Sequence, residues 1–290
     1  MSQVSDAAQT RMAKTTVKVA SGLCLVKLAA FALSGSAGVL GSAVDSGLDL
    51  VASMVVLWAV SAAARPADAD HPFGHGKAES LASLLQSVLI LVSGLGLAYH
   101  TIQRALDQQH TLGGSAVGVS VMIGSSAVTL WLVRRLRRVA KETGSPALDA
   151  DSAHYASDLA TNLAAAVGLG IYAITGWTWP DLLVGLLIAL VILNTAREVF
   201  TGATEGLMDT GMEAAEEAAV LRTVLGFAPR VAGFHDLRAR RSGAELFIEL
   251  HLDIPRHASF VEAHDLAEEV GDAVRRAVPR SQVTVHADPL

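Results

Sequence analysis

The sequence predicts an all-α bundle of six transmembrane helices, followed by a small cytoplasmic α+β domain with the element order αββαβ. Hydrophobic residues make up 51% of the 290 residues and charged residues 17%, below the roughly 25% of average soluble domains. Residues 1–204 contain 13 acidic and 13 basic residues, whereas residues 205–290 contain 15 and 9. The net charge of −6 therefore lies near the C-terminus, and this composition argues against a compact cytosolic enzyme.

We divide the chain into a membrane body, residues 1–208, and a tail, residues 209–290. Long runs without Asp, Glu, Lys or Arg divide the membrane body, and a transmembrane helix needs about 20 mostly apolar residues. The predicted spans are residues 15–35, 40–64, 80–103, 113–135, 147–174 and 180–203. A soluble bundle of six helices is the alternative, but soluble helices carry a charged outer face that these segments lack.

Basic residues in the short flanks of the spans predict the orientation. Ten of them fall on one side of the predicted membrane and one, Arg104, on the other. Because the side rich in Lys and Arg faces the cytoplasm, both termini and the tail are predicted to be cytoplasmic. The ten residues are Arg11, Lys14, Lys18, Arg65, Lys77, Arg134, Arg135, Arg137, Arg138 and Lys141.

The tail has the patterns of a small open-faced sandwich. Residues 212–225 and 260–278 have apolar residues at helical spacing, and residues 233–241, 244–253 and 281–286 alternate as strands do. Ser242 and Gly243 are predicted to form the turn of a two-residue hairpin. A core of about 80 residues is modest, so pairing with a second copy would stabilise the tail.

Ionisable residues inside the predicted spans point to a metal site. Asp45 and Asp49 are four residues apart in the second span, and His154 and Asp158 have the same spacing in the fifth. Residues four apart share a helix face, so the two pairs can meet and offer three carboxylates and one imidazole. This set suits Zn²⁺ and related ions. Without a cation, three buried carboxylates must hold protons, which predicts exchange of metal for protons.

Other interpretations of these residues explain less of the pattern. Asp45 as a helix cap and His154 as an ordinary hydrogen-bonded group would leave the matched spacing of the two pairs unexplained. A membrane metalloenzyme is disfavoured because the sequence has no HExxH motif, nucleophile elbow or phosphate loop. A membrane-tethered metal sensor that uses the tail would not require three carboxylates within the bilayer.

Two further groups of metal-ligand residues lie outside the spans. The loop between the second and third spans contains Asp68, Asp70, His71 and His75, which can hold a metal or simply be solvated. In the tail, strand ends and an adjacent helix can bring histidines together, although surface histidines are the alternative. The tail residues are His235, His251, His257, His264, His286 and Asp288.

Three segments carry a resemblance to a known family. They read VDSGLD in the second span, HPFGHGKAES before the third and HYASD in the fifth. Together they closely resemble the cation diffusion facilitator family, above all its bacterial zinc-transporting branch, and the resemblance covers nearly the whole chain. It implies a homodimeric metal/proton antiporter of the bacterial inner membrane that exports divalent metal from the cytoplasm. It also implies a metallochaperone-like tail that binds metal and forms the dimer.

The resemblance also implies the site residues and their metals. It places the transport site on Asp45, Asp49, His154 and Asp158, with Zn(II) as the expected substrate and Fe(II) or Cd(II) as alternatives. Zn(II) is also expected as a structural or regulatory ion, with no catalytic cofactor. A loop site is implied on Asp68, His71 and His75. A binuclear tail site is implied on His235, His251, His264, His286 and Asp288.

Four further residues bear on these expectations. Ala287 departs from the polar residue that close relatives carry between the last His and Asp, so one tail metal is expected to bind less tightly. Lys77 and Asp209 lie at span boundaries and are expected to interlock the membrane body with the tail. Lys27 is a charge within the first span for which the sequence gives no role.

Overall fold

The structure, a computed structural model, describes residues 2–35, 37–106, 116–175 and 179–290. Over these ranges the chain forms six long helices, then two shorter helices and a three-stranded sheet. The elements are α1 (Ser2–Ser34), α2 (Ala37–Ala63), α3 (Lys77–Leu106), α4 (Ala116–Thr143), α5 (Pro146–Thr175), α6 (Trp179–Leu207), α7 (Ala214–Leu225), β1 (Gly233–Ser242), β2 (Glu245–Ile254), α8 (Phe260–Ala277) and β3 (Ser281–Pro289).

The six long helices correspond to the six predicted spans. Within the described residues, α1, α2, α3 and α6 contain segments long and apolar enough to cross a membrane, with mean hydropathy between 1.7 and 2.0. The helices α4 and α5 have 28 and 30 residues, which also exceeds the length needed for about 30 Å of hydrocarbon. The prediction of a helical membrane part followed by a tail with a small sheet is confirmed. The first helix begins at Ser2, so it extends well before the predicted span.

Small residues allow α3 and α6 to pack closely. A Cβ atom at Gly185 of α6 would lie 2.5 Å from Oγ1 of Thr101, and one at Gly94 of α3 would lie 3.0 Å from Leu193. Side chains larger than glycine would therefore separate the two helices, as expected where membrane helices approach through small residues. This packing fixes α3 and α6 beside α5, the helix that carries His154.

The tail sheet has the strand order β1-β2-β3, with β1 antiparallel and β3 parallel to β2. Even-numbered residues of β2, such as Leu250 and Leu252, are buried in a core shared with α7 and α8. Odd-numbered residues, such as His251, point to the opposite face, because side chains alternate along a strand. We call this second surface the open face of the sheet.

The tail hairpin and the last strand differ in detail from the prediction. Ser242 pairs with Glu245, so the turn consists of Gly243 and Ala244 and lies one residue beyond the predicted position. Gly243 has a φ of 60°, a conformation that glycine adopts without the steric cost of a Cβ atom. The last strand continues to Pro289 because its pairing with β2 extends to Ile254, which brings Asp288 into the sheet.

The loop between α2 and α3 rests on the open face of the tail sheet. Phe73 makes an edge-to-face contact with Phe247, with ring centroids 5.7 Å apart, and the Arg240 guanidinium lies 4.1 Å from the Phe73 ring. A Cβ atom at Gly243 would lie 2.7 Å from the carbonyl oxygen of Gly76, and one at Gly76 would lie 2.8 Å from the carbonyl carbon of Ser242. The two backbones therefore touch, with no room for a side chain.

Ionic contacts reinforce this junction. Lys77 Nζ lies 3.0 Å from Asp209 Oδ1 and donates a hydrogen bond of 3.2 Å to the carbonyl oxygen of Leu207, so the expected pair is formed. On the tail side, Arg280 donates to the carbonyl oxygen of Thr143 at 3.0 Å and lies 3.3 Å from Asp6. The tail is thus attached to the start of α1, the start of α3 and the α4–α5 turn.

Candidate metal sites

Three ligand atoms meet between α2 and α5. His154 Nε2 lies 3.3 Å from Asp49 Oδ1 and 3.7 Å from Asp158 Oδ2, and one ligand atom from each residue lies within 4.8 Å of the others. We call Asp49, His154 and Asp158 the membrane cluster. The His154 side chain is 6% exposed and the Asp49 side chain 20%. The spacing of four residues in α5 puts His154 and Asp158 on one face, directed towards Asp49 of α2.

Asp45 lies one turn from Asp49 on α2 but outside the group of ligand atoms that meet within 4.8 Å in the described residues. It lines the same cavity of about 480 Å³ as the membrane cluster. Lys27 of α1 lines this cavity too, and its Nζ donates a 2.7 Å hydrogen bond to Ser46 Oγ. The cation in the first span therefore faces the polar cavity, and its charge lies near Asp45 and Asp158.

Asp68, His71 and His75 come together in the loop before α3, and we call them the loop cluster. His71 Nδ1 and His75 Nε2 lie 3.3 Å and 3.2 Å from the two carboxylate oxygens of Asp68. The backbone N–H of His71 donates to Asp68 at 2.7 Å, and this bond holds the pKa of Asp68 below its ordinary value. Asp70 approaches the group through its backbone N–H, which also donates to Asp68.

Strand register assembles the tail residues on the open face. His235, His251 and His286 pair side by side across β1, β2 and β3. Asp288 lies beside this row and contacts all three imidazoles: Oδ2 is 2.7 Å from His251 Nδ1 and 3.4 Å from His235 Nε2, and Oδ1 is 3.0 Å from His286 Nε2. The hydrogen bond with His251 is the main reason that the pKa of Asp288 is lowered.

Asp253 joins this group although sequence analysis did not select it. Its Oδ1 lies 3.0 Å from His235 Nδ1, while His235 Nε2 faces Asp288. Gly233 pairs with Asp253 across the sheet, and a Cβ atom there would lie 2.6 Å from Asp253 Oδ2. The signal that would have found it is the repeated His-x-Asp pattern, HLD at 251–253 and HAD at 286–288. We call His235, His251, His286, Asp253 and Asp288 the tail cluster.

Two other tail histidines lie apart from the tail cluster. His264 is on α8 and stacks on Phe260 with ring centroids 6.4 Å apart. It belongs to none of the ligand groups formed within the described ranges, and the same holds for His257. The assignment of His264 to a metal therefore stays a prediction. Ala287 points to the core side of β3, where it packs in the hydrophobic cluster.

Both parts of the chain match a family model. Residues 14–208 match the model described as the cation efflux transmembrane domain, and residues 212–290 match the one described as the cation efflux protein cytoplasmic domain, named ZT_dimer. The chain belongs to the cation efflux, or cation diffusion facilitator, family. It is a membrane transporter for metal cations, and its family is one of transporters rather than enzymes.

Two relatives that match over most of their length agree with this assignment. The chain is 38% identical over 289 residues to the cation-efflux pump FieF of Salmonella schwarzengrund, covering 100% of this chain and 95% of the relative. It is 34% identical over 265 residues to the uncharacterized transporter sll1263 of Synechocystis, covering 91% and 85%. The zinc form of CzrB, whose description names a zinc transporter, is 33% identical and covers 28% of this chain and 92% of that one, with a TM-score of 0.26.

Proposed function

We propose that this transporter exports Zn²⁺ from the cytoplasm in exchange for protons, and that Asp45, Asp49, His154 and Asp158 bind the metal. The observation that carries the proposal is the membrane cluster, in which ligand atoms from two helices lie within 4.8 Å of one another beside a polar cavity. Carboxylate and imidazole ligands at this spacing suit a tetrahedral divalent ion.

The chemistry of the membrane cluster supports coupling to protons. Two carboxylates in a largely apolar helix bundle need a cation or protons to neutralise them, because an uncompensated charge in hydrocarbon is costly. Metal binding requires deprotonated ligands, so arrival of the metal releases protons and arrival of protons releases the metal. Imidazole suits this role because it titrates near neutral pH.

Asp45 is proposed as the fourth ligand, which reaches the metal when the ion is bound. It stands one helical turn from Asp49 and lines the same cavity, so a change of side-chain rotamer would carry its carboxylate to the ion. Three oxygens and one nitrogen also suit Cd²⁺ or Fe²⁺, so the choice among these metals needs a direct comparison of fluxes.

The transport cycle follows from alternating access. With the cavity open to the cytoplasm, Zn²⁺ displaces protons from the membrane cluster; after the helices rearrange, protons from the more acidic side displace Zn²⁺. The excess of basic residues on one side of the membrane supports the cytoplasmic placement of both termini.

The loop and tail clusters are proposed as regulatory zinc sites in a homodimer of the inner membrane. Their donor sets of imidazole and carboxylate fit Zn²⁺, and Asp288 contacts three imidazoles, as a carboxylate between two metals would. Zinc there would supply cross-links that stiffen the tail. Phe73, between His71 and His75, contacts Phe247 of the sheet and so links the two clusters.

The test of the transport proposal is the variant Asp49→Ala in sealed proteoliposomes with an imposed pH gradient. Zn²⁺ flux is expected to fall to the level of empty vesicles, while elution from a sizing column is unchanged. Asp149→Ala, which removes an exposed carboxylate at the start of α5, is the matched control and should transport normally. Full Zn²⁺ flux in Asp49→Ala would refute the assignment. A panel of Zn²⁺, Cd²⁺, Fe²⁺ and Mn²⁺ identifies the preferred metal.

A further inference from the structure

A row of buried polar side chains runs along α3 beside α5. Glu79, Ser83 and Gln86 are each no more than 2% exposed and occupy one helix face, at spacings of four and three residues. Immediately before α5, Ser145 Oγ donates a hydrogen bond to Glu79 Oε2. One end of this polar row therefore lies at the start of α3 and α5, on the proposed cytoplasmic side.

The other end of the row contacts a carboxyl group that the transport site does not use. Asp151 of α5 is 0% exposed, and Gln86 Nε2 donates a 3.0 Å hydrogen bond to its Oδ1. In the part of the chain that the structure describes, Asp151 Oδ2 and Gln86 Oε1 are both buried without a hydrogen-bond partner. Buried polar groups are nearly always hydrogen-bonded, because an unpaired one costs free energy of folding. Two unpaired oxygens on side chains that contact each other are therefore unusual.

A single proton would satisfy both of these atoms. Protonated at Oδ2, Asp151 loses its charge and gains a donor, and the unpaired acceptor on the side chain already bonded to it is Gln86 Oε1. As a carboxylate, Asp151 would instead be a buried anion with one neutral hydrogen-bond donor. The geometry therefore favours Asp151 as a site that holds a proton inside the membrane body.

Asp151 lies one helical turn before His154, between the membrane cluster and the start of α5. His154 Nε2 faces Asp49 and Asp158, and its Nδ1 is buried with no partner among the described residues. The charged groups that act on Asp151 are Asp49 from α2 and His154 and Asp158 from α5, whereas α3 presents the neutral Gln86. The nearby Tyr155 phenol is bonded to Ser53.

We propose that Asp151 relays protons between the transport site and the cytoplasmic side, with Gln86 holding its carboxyl group in place. This inference rests on the proposed metal/proton exchange. When metal displaces a proton from the transport site, the O–H bond that Asp151 already carries breaks and that proton leaves towards the start of α3. The displaced proton then forms a new O–H bond on the vacated carboxylate of Asp151. The leaving proton moves towards the buried Glu79, which lies at the start of α3 on the proposed cytoplasmic side. The metal does not bind Asp151 at any step.

The test separates proton transfer from metal passage. Net Zn²⁺ transport driven by a pH gradient requires protons to move, whereas exchange of labelled Zn²⁺ for unlabelled Zn²⁺ across the same vesicle membrane does not. Asp151→Asn keeps an acceptor for Gln86 Nε2 but cannot carry a proton. It is expected to slow net transport at least tenfold, since proton-transfer groups typically contribute about 10²–10⁴ in rate. Zn²⁺/Zn²⁺ exchange and equilibrium Zn²⁺ binding should stay at the unsubstituted level.

Two further variants complete the design. Asp149→Asn makes the same chemical change on an exposed carboxyl two residues away and should leave both kinds of flux unchanged. Gln86→Leu keeps the carboxyl of Asp151 but removes its partner, and should also slow net transport more than exchange. This second variant serves as the test if Asp151→Asn does not fold.

Each outcome bears on a different statement. Equal losses of net transport and exchange would mean that Asp151 is structural, and normal net transport in Asp151→Asn would mean that it carries no proton. Either result overturns the relay but leaves the proposed exchange intact. A pH gradient that drives no Zn²⁺ transport in the unsubstituted protein would refute the proposed exchange and the relay together.

Discussion

The membrane cluster and the tail cluster combine the same two kinds of side chain in opposite surroundings. His154 is 6% exposed between two helices, whereas His251 and His286 are 36% and 63% exposed on an open sheet face. In the tail, water can solvate the carboxylates whether or not a metal is bound. In the membrane body, only a cation or a proton can neutralise them. Burial of the imidazole in an apolar bundle, rather than the ligand set, therefore distinguishes the cluster proposed for transport from the cluster proposed for steady metal binding.

The largest expected effect comes from making the same substitution in both clusters. His154→Gln should reduce Zn²⁺ flux in proteoliposomes by more than the 10–100-fold typical of losing a supporting group around a metal. His251→Gln should lower the amount of Zn²⁺ bound per chain but retain most of the flux. Flux and bound metal are measured on the same preparations. Comparable loss of flux in both variants would break the comparison, because the tail would then be part of the transport path.

A smaller effect is expected from Asp253→Asn. The carboxylate at His235 Nδ1 favours the tautomer that leaves Nε2 free towards Asp288, and an amide in its place can donate to Nδ1 and favour the other tautomer. Zn²⁺ titration of the full-length protein should show tail affinity reduced about 10–100-fold. Asp265→Asn, an exposed carboxyl on α8, is the control. Unchanged titration curves for Asp253→Asn would show that this contact does not orient His235.

The smallest expected effect concerns an ion pair in the tail, away from the tail cluster. Arg241 donates to both carboxylate oxygens of Glu216, at 2.8 Å and 2.6 Å. Partial burial acts to raise the pKa of Glu216, but the bond to Arg241 and a backbone hydrogen bond outweigh it and lower the pKa below its ordinary 4.5. The contribution to stability is therefore present above pH 4.5 and is lost as the pH falls through the lowered folded-state pKa.

Glu216→Gln should consequently destabilise the tail by about 0.5–1 kcal/mol at pH 7, the range of a partly exposed pair. The loss should shrink towards zero in strong acid. Hydrogen exchange of α7 and β1 in the full-length protein measures it, with the exposed neighbour Glu217→Gln as control. A loss independent of pH would mean that Glu216 stabilises the tail by packing rather than by its charge.

The membrane cluster was open to prediction because helices are periodic. Residues 45 and 49, like residues 154 and 158, are four apart and therefore share one face of a helix. A charged residue is also easy to recognise within an apolar span. The structure brings together three of the four residues, and Asp45 lines the same cavity without joining them. Asp151 escaped sequence analysis because its significance lies in a contact with Gln86, a residue of another helix.

In the tail, sequence alternation predicted the strands but not their register. Asp253 meets His235 because β1 and β2 pair with Gly233 opposite Asp253, a relation that no local pattern states. The hairpin turn was displaced by one residue for a related reason. Ser242-Gly243 is as good a turn as Gly243-Ala244 by composition, and the choice between them follows from pairing along the whole of both strands.

The bare backbone contact between Gly76 and Gly243 has a practical consequence. A methyl group at Gly76 would push the tail hairpin away from the start of α3. It is the smallest side chain that a substitution of glycine can introduce. Gly76 does not have a positive φ, so alanine can adopt its backbone conformation. Gly76→Ala therefore widens the contact between the loop and the hairpin without straining the backbone at residue 76. The added methyl group thus offers a way to measure whether metal is still transported when the tail is displaced from the membrane body.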